Sequence, residues 1–123
     1  VTGFGFAGHL LEMLHASDTA AELQLDAIPL LDGAEQLIDD GIESTLAPAN
    51  RAAETEVRVS EKQRIDARYA ALFDPQTCGG LLLGVHEADV NSVLGRLNEM
   101  SDVPAVVIGQ VIESSTSQAI QIV

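Results

Sequence analysis

Basic residues are scarce in this chain: six Lys and Arg face nineteen Asp and Glu, for a formal charge of −13 over 123 residues. This argues against nucleic-acid binding, because neutralising phosphates needs a basic face that cannot be assembled here. Anionic membrane surfaces are disfavoured for the same reason. A phosphorylated ligand would have to be held by backbone N–H groups or through a metal. Cysteine is almost absent too. Cys78 stands alone, which rules out an internal disulfide and fits a reducing, cytoplasmic compartment. Aromatics are 3% of the chain against 46% hydrophobic residues, so an aliphatic core of Leu, Ile, Val and Ala is expected. No apolar run approaches the ~18 residues of a membrane span, and no signal peptide is visible. The length fits one domain with one core. The chain opens at Val1 without a methionine and is expected to be a piece of a longer protein.

What is present reads as mixed helix and strand. Ala7, Leu10, Leu11 and Leu14 fall on one helical face, predicting a helix over Gly8 to Ala16. Alternation from Glu22 to Ala27 predicts a strand. Asp32 with Glu35 is a capping-box signature for a short helix that Gly41 can close. Ile42 to Val59 reads as a long irregular loop with a short strand near Glu56–Val59, and loops of that length are more often functional than idle. Ser60 and Gln63 form a second capping box, opening a helix with Ile65, Tyr69 and Leu72 on one face that Asp74-Pro75 stops. Gly80 to Val85 is a continuous apolar run, hence a buried strand. Val90, Val93, Leu94 and Leu97 mark another amphipathic helix. Two closing strands, Ala105 to Ile112 and Gln118 to Val123, read as a hairpin across the serine-rich turn Ser114–Ser117. The class is α/β or α+β, with a mixed sheet and helices packed mainly against one face.

Several residues have the right chemistry for a site. Gly3-Phe4-Gly5-Phe6-Ala7-Gly8 satisfies G-x-G-x-x-G at the mouth of a helix, and Asp26 closes the predicted strand eighteen positions on. That spacing fits a dinucleotide-binding oxidoreductase fragment, but the fingerprint needs a strand before its first glycine and only Val1-Thr2 stand there. Asp74-Pro75-Gln76-Thr77-Cys78-Gly79-Gly80 is a second loop with an unusual backbone path: proline fixes φ, and paired glycines reach geometry closed to other residues. Cys78 is read as a small, partly buried loop residue and not as a reactive thiolate. His9, His15 and His86 are read as surface or cap residues, since no pair has the i, i+4 spacing of a shared metal and no zinc spacing is present. Asp39-Asp40 and Glu54/Glu56 read as a solvated acidic face.

The opening segment Val1-Thr2-Gly3-Phe4-Gly5-Phe6-Ala7-Gly8-His9-Leu10-Leu11-Glu12-Met13 resembles the start of the C-terminal domain of selenophosphate synthetases (selenide, water dikinases). Ile28 to Ala34, Ser44 to Asn50 and Asp74 to Leu82 resemble later segments of that family, in family order. The resemblance implies a fold like the C-terminal domain of aminoimidazole ribonucleotide synthetase, in a group of ATP-dependent enzymes that also holds thiamine-monophosphate kinase and a hydrogenase-maturation protein. It implies a parent enzyme that turns ATP, selenide and water into selenophosphate, AMP and phosphate with magnesium, for selenocysteine and selenouridine synthesis. The ATP-binding and dimerising N-terminal domain, with the catalytic Cys or Sec and its lysine, is then outside this chain.

Carried over by position, Thr2, Gly3 and Gly5 lie at the edge of the ATP-phosphate and metal site, and Asn50, Thr77, Gly79 and Gly80 face the interdomain cleft. The resemblance assigns no catalytic residue and no metal ligand to this chain. The family's metal-binding aspartate would come immediately before Val1, and the family commonly has serine where Cys78 stands. The isolated domain is expected to be inactive and to hold neither ATP nor Mg²⁺ tightly. Its partner is expected to be its own N-terminal domain, in a parent that forms a homodimer. A non-catalytic interaction module of the same fold is the remaining alternative.

Overall fold

A computed structural model describes residues 1–114 and 117–123. Helix α1 runs Gly5–Ser17, longer at both ends than its apolar stripe marks. Ala7, Leu10, Leu11 and Leu14 are buried together, and Phe6 joins them. Asp18 ends the helix in the left-handed conformation (φ 52°), turning its N–H back to the carbonyls of Leu14 and His15. Strand β1 follows at once as Thr19–Leu23. The predicted extension to Ala27 does not form, because Leu25–Ala27 winds into a 3-10 turn that buries Leu25. Asp26 is therefore an exposed turn residue and not the end of a strand.

Helix α2 (Ala34–Asp39) starts behind Gly33, without a side-chain cap. The Asp32/Glu35 box is thus not made, and Glu35 instead accepts from Arg68 Nη1 at 3.2 Å. Gly41 closes the helix at φ 78° as read. The stretch expected to be irregular is largely wound: α3 (Ala47–Asn50) runs into a 3-10 turn at Arg51–Glu56 and then the short strand β2 (Val57–Arg58). Pro48 sits in the first turn of α3, where a missing N–H costs nothing.

The Ser60/Gln63 capping box does form and opens α4 (Glu61–Arg64). The helix then breaks, because Asp66 accepts the Arg68 N–H at 2.8 Å and caps a new helix, α5 (Ala67–Ala71). The break separates the predicted face: Ile65 is 85% exposed, whereas Tyr69 and Leu72 are fully buried. Helix α6 (Val90–Met100) lies where its stripe places it, but none of its residues is buried.

Strands β3 (Gly109–Glu113) and β4 (Ile120–Ile122) complete a four-stranded mixed sheet in the order β2-β4-β1-β3. The predicted closing hairpin is overturned. β1 inserts between the last two strands, antiparallel to β3 (Thr19 opposite Glu113) and parallel to β4 (Ala21 opposite Ile120). Of the predicted turn Ser114–Ser117, Ser115 and Thr116 lie outside the described residues. The apolar run Gly80–Val85 forms no strand, and Leu81 is 87% exposed. Its leading residue, Gly80, accepts from the Val1 nitrogen of the chain's opening segment and not from a sheet strand.

The core lies between one sheet face and α1 and α5. Ala21, Leu23, Val57, Ile120 and Ile122 meet Leu10, Leu11, Leu14, Tyr69, Leu72 and Phe73 there. It is less purely aliphatic than the composition predicts. Tyr69 and Phe73 are its two largest fully buried side chains, packed edge to face at 5.2 Å between ring centroids.

Candidate functional site

Three segments remote in sequence meet at the start of α1. The Thr2 carbonyl accepts two N–H groups, from Gly5 at 3.1 Å and from Gln76 at 3.0 Å. Val1 is tied to the second loop in both directions: its nitrogen donates to the Gly80 carbonyl (2.9 Å), and its carbonyl accepts from Gly79 (3.1 Å). Asn50 completes the junction from the end of α3. Its Nδ2 donates to the Gly3 carbonyl at 2.9 Å and to the Phe73 carbonyl at 3.0 Å. One side chain thus joins the opening segment to the chain just before the second loop.

Two glycines are required by this geometry. Gly5 has φ 71°, and a Cβ there would stand 3.0 Å from the Leu72 carbonyl oxygen. Its role is to let α1 begin against the end of α5, which the Ala7 N–H to Leu72 carbonyl bond (2.9 Å) secures. A Cβ on Gly79 would collide with the Gln76 amide and with the Val1 carbonyl. By contrast, nothing lies within 4 Å of where a Cβ on Gly3 or Gly80 would stand. Both are exposed and leave the junction open on its outer side.

Of the residues singled out in the sequence, Thr2, Gly3, Gly5, Asn50, Gly79 and Gly80 are therefore brought to one junction, with Gly5 buried beneath its outer side. Thr77 sits exposed in the same loop, between two residues that bond the opening segment. Cys78 is exposed, not partly buried. Glu54 and Glu56 are half-buried and paired, not freely solvated: Glu54 with Arg51 (2.7 Å) and Arg64 (3.6 Å), Glu56 with His15 (2.7 Å). His86 caps a 3-10 turn through the Ala88 N–H.

His9 is the site residue that sequence reasoning missed. Its Nε2 lies 2.9 Å from Thr2 Oγ1. The signal was proximity alone, since both residues fall in the opening segment. Behind the junction, the Arg51 guanidinium lies 5.5 Å over the Phe73 ring and pairs with Glu54 and Glu43. Burial pulls against its charge, but those carboxylates outweigh it and raise its pKa. Arg51, Glu43 and Asp74 line a cleft of about 220 Å³ with Ile42 and Ala70. Burial, with Glu43 second, holds the Asp74 carboxyl above its ordinary range.

The surface suits an anionic group approached through backbone, because its open side is formed by glycines and a hydroxyl. Among the described residues, no group of three or more His, Cys, Asp or Glu side chains is placed to hold a metal ion. No helix among the described residues is long and apolar enough to cross a membrane.

Comparison with known proteins agrees with this fold. The family described as "AIR synthase related protein, C-terminal domain" matches residues 1–121. The selenide, water dikinase of Caldanaerobacter subterraneus subsp. tengcongensis is 35% identical over 116 residues, covering 92% of this chain and 33% of the relative. That of Geobacter metallireducens is 38% identical over 99 residues, covering 80% and 29%. That of Shewanella putrefaciens is 37% identical over 121 residues, covering 97% and 32%. The likeness seen in four segments thus extends across nearly the whole chain, which spans about a third of the length of these curated relatives. The chain belongs to the family of AIR synthase-related C-terminal domains.

Proposed function

We propose that this chain is the C-terminal domain of a selenide, water dikinase, and that the junction around Thr2 forms one wall of its nucleotide site. The observation that carries the reading is the convergence of the opening segment Thr2 to Gly5 with Asn50 and the Gly79-Gly80 loop into a single junction whose outer side, at Thr2, Gly3 and Gly80, is open. These segments are separated by tens of residues, and the family resemblance assigns the first to the edge of the ATP-phosphate site and the other two to the interdomain cleft. The relatives' names supply the reaction: a dikinase acting on selenide and water.

The whole enzyme would convert ATP, selenide and water into selenophosphate, AMP and phosphate. An N-terminal domain supplies the nucleophile, the lysine and the metal-binding carboxylates, and forms the homodimer. In this division of labour the present chain contributes shape and polar groups to the wall of the site, and the nucleophile comes from the other domain. Its acidity is tolerable because magnesium, held by the other domain, neutralises the phosphates.

The test is selenide-dependent AMP formation. The full-length protein is expected to make AMP only when selenide is present, and this chain alone to make none. AMP formation by the chain alone would show that the catalytic groups lie within it. Absence of AMP from the full-length protein would contradict the dikinase assignment.

A further inference from the structure

Thr2 is the one exposed hydroxyl at the meeting point of the opening segment, Asn50 and the second loop for which the structure shows a side-chain partner. Its Oγ1 lies 2.9 Å from His9 Nε2. His9 is itself restrained from two further sides. Glu12 Oε2 stands 3.3 Å from its Nδ1, and the Phe4 ring meets it edge-on with centroids 5.8 Å apart. The Thr2 backbone is fixed as well, because its carbonyl accepts from both Gly5 and Gln76. A hydroxyl is thereby held in one place on an open surface beside the exposed Gly3 and Gly80. The other two histidines do nothing comparable: His15 pairs with Glu56, and His86 caps a turn.

We propose that His9 is a positioning residue that holds the Thr2 hydroxyl toward the nucleotide phosphates, with Glu12 holding His9. This rests on the nucleotide-site reading above. In the ligand-binding arrangement Nε2–H donates to Thr2 Oγ1, while the Glu12 carboxylate stands against the Nδ1 side of the ring. The Thr2 O–H is then free to donate to a phosphate oxygen. A donor fixed before the ligand arrives costs no reorganisation when charge builds on the phosphoryl group.

The experiment uses the full-length protein, with two readouts: the Kd for ATP without selenide, and the rate of selenide-dependent ATP consumption. His9→Ala is expected to raise the Kd roughly 3- to 10-fold, the worth of one hydrogen bond, and to slow consumption about 10- to 100-fold through misplacement of the hydroxyl. Thr2→Val is expected to match it, and Thr2→Ser to retain more activity than Thr2→Val. The double variant should be no worse than Thr2→Val, because both changes remove one interaction. His15→Ala, on the same helix, serves as the control and should be unaffected. If His9→Ala fails to fold, Glu12→Gln takes its place, with a smaller loss in the same direction.

The proposal is overturned if His9→Ala leaves both readouts within about twofold of wild type, or if the two losses multiply in the double variant. A protein that binds ATP, loses affinity in His9→Ala and yet shows no selenide-dependent turnover would sink the dikinase assignment while supporting the positioning role. Full turnover retained by His9→Ala would do the reverse.

Discussion

One region of the molecule buries its apolar side chains and another leaves them exposed. Every buried hydrophobic residue lies at or before Phe73 or from Ala119 onward, and among the described residues none between 74 and 118 is buried. The first region closes its core side chains off from water, and backbone bonds from Thr2 and Val1 tie it to Gln76, Gly79 and Gly80 at the start of the second. In the second, α6 presents its stripe only partly covered, and Leu81, Met100 and Val103 are each more than 70% exposed. Both regions are comparably apolar in sequence. The difference teaches that an apolar pattern states what a segment can bury, whereas a partner of matching shape decides whether it does.

Truncation should break the contrast most visibly. Phe73→Ala is expected to destabilise the fold by about 3–5 kcal/mol, and Leu81→Ala by under about 0.5 kcal/mol; denaturant unfolding of the two variants measures both. Asn50→Ala comes next. It leaves the Gly3 and Phe73 carbonyls without their shared donor and should cost about 1–3 kcal/mol. Amide hydrogen exchange is expected to rise in residues 2–5 and 74–80 and to stay unchanged in α6. Gly5→Ala should cost at least about 1 kcal/mol, because φ 71° is strained for an L side chain. Gly80→Ala should be nearly silent in stability, since nothing stands near its Cβ position.

The smallest effect concerns pH. The Asp74 carboxyl titrates above its ordinary range because burial, and then Glu43, disfavour its charge. A carboxyl raised on folding adds stability below its unfolded pKa, and that stability is lost as pH rises through the folded value. Asp74→Asn is therefore expected to raise Tm slightly at neutral pH and to make no gain at pH 3. An equal gain at both would show that Asp74 ionisation has no part in it.

How much of this was legible in the sequence depended on how local the cause was. Gly5, Gly79, the Ser60/Gln63 box and the α1 stripe are visible because glycine geometry, caps and helical period act within a few residues. The Asp66 cap that splits α4 from α5 is equally local, but the apolar period over Ile65, Tyr69 and Leu72 overrode it. Strand order was not legible. β1 separates β3 from β4 through pairings between residues about a hundred positions apart, which no short window contains. The run Gly80–Val85 carries no period at all, and hydrophobicity alone named it a strand. Asn50 was reached only through resemblance, and the His9 contact crosses a loop–helix boundary where no spacing rule applies.

The junction around Thr2 is tested most directly by hydrogen exchange of the full-length protein with and without a non-hydrolysable ATP analogue. Protection gathered in residues 1–5 and 76–80, with α6 unchanged, is the predicted result. Protection that leaves both segments at their free rates would contradict the placing of the nucleotide against this surface.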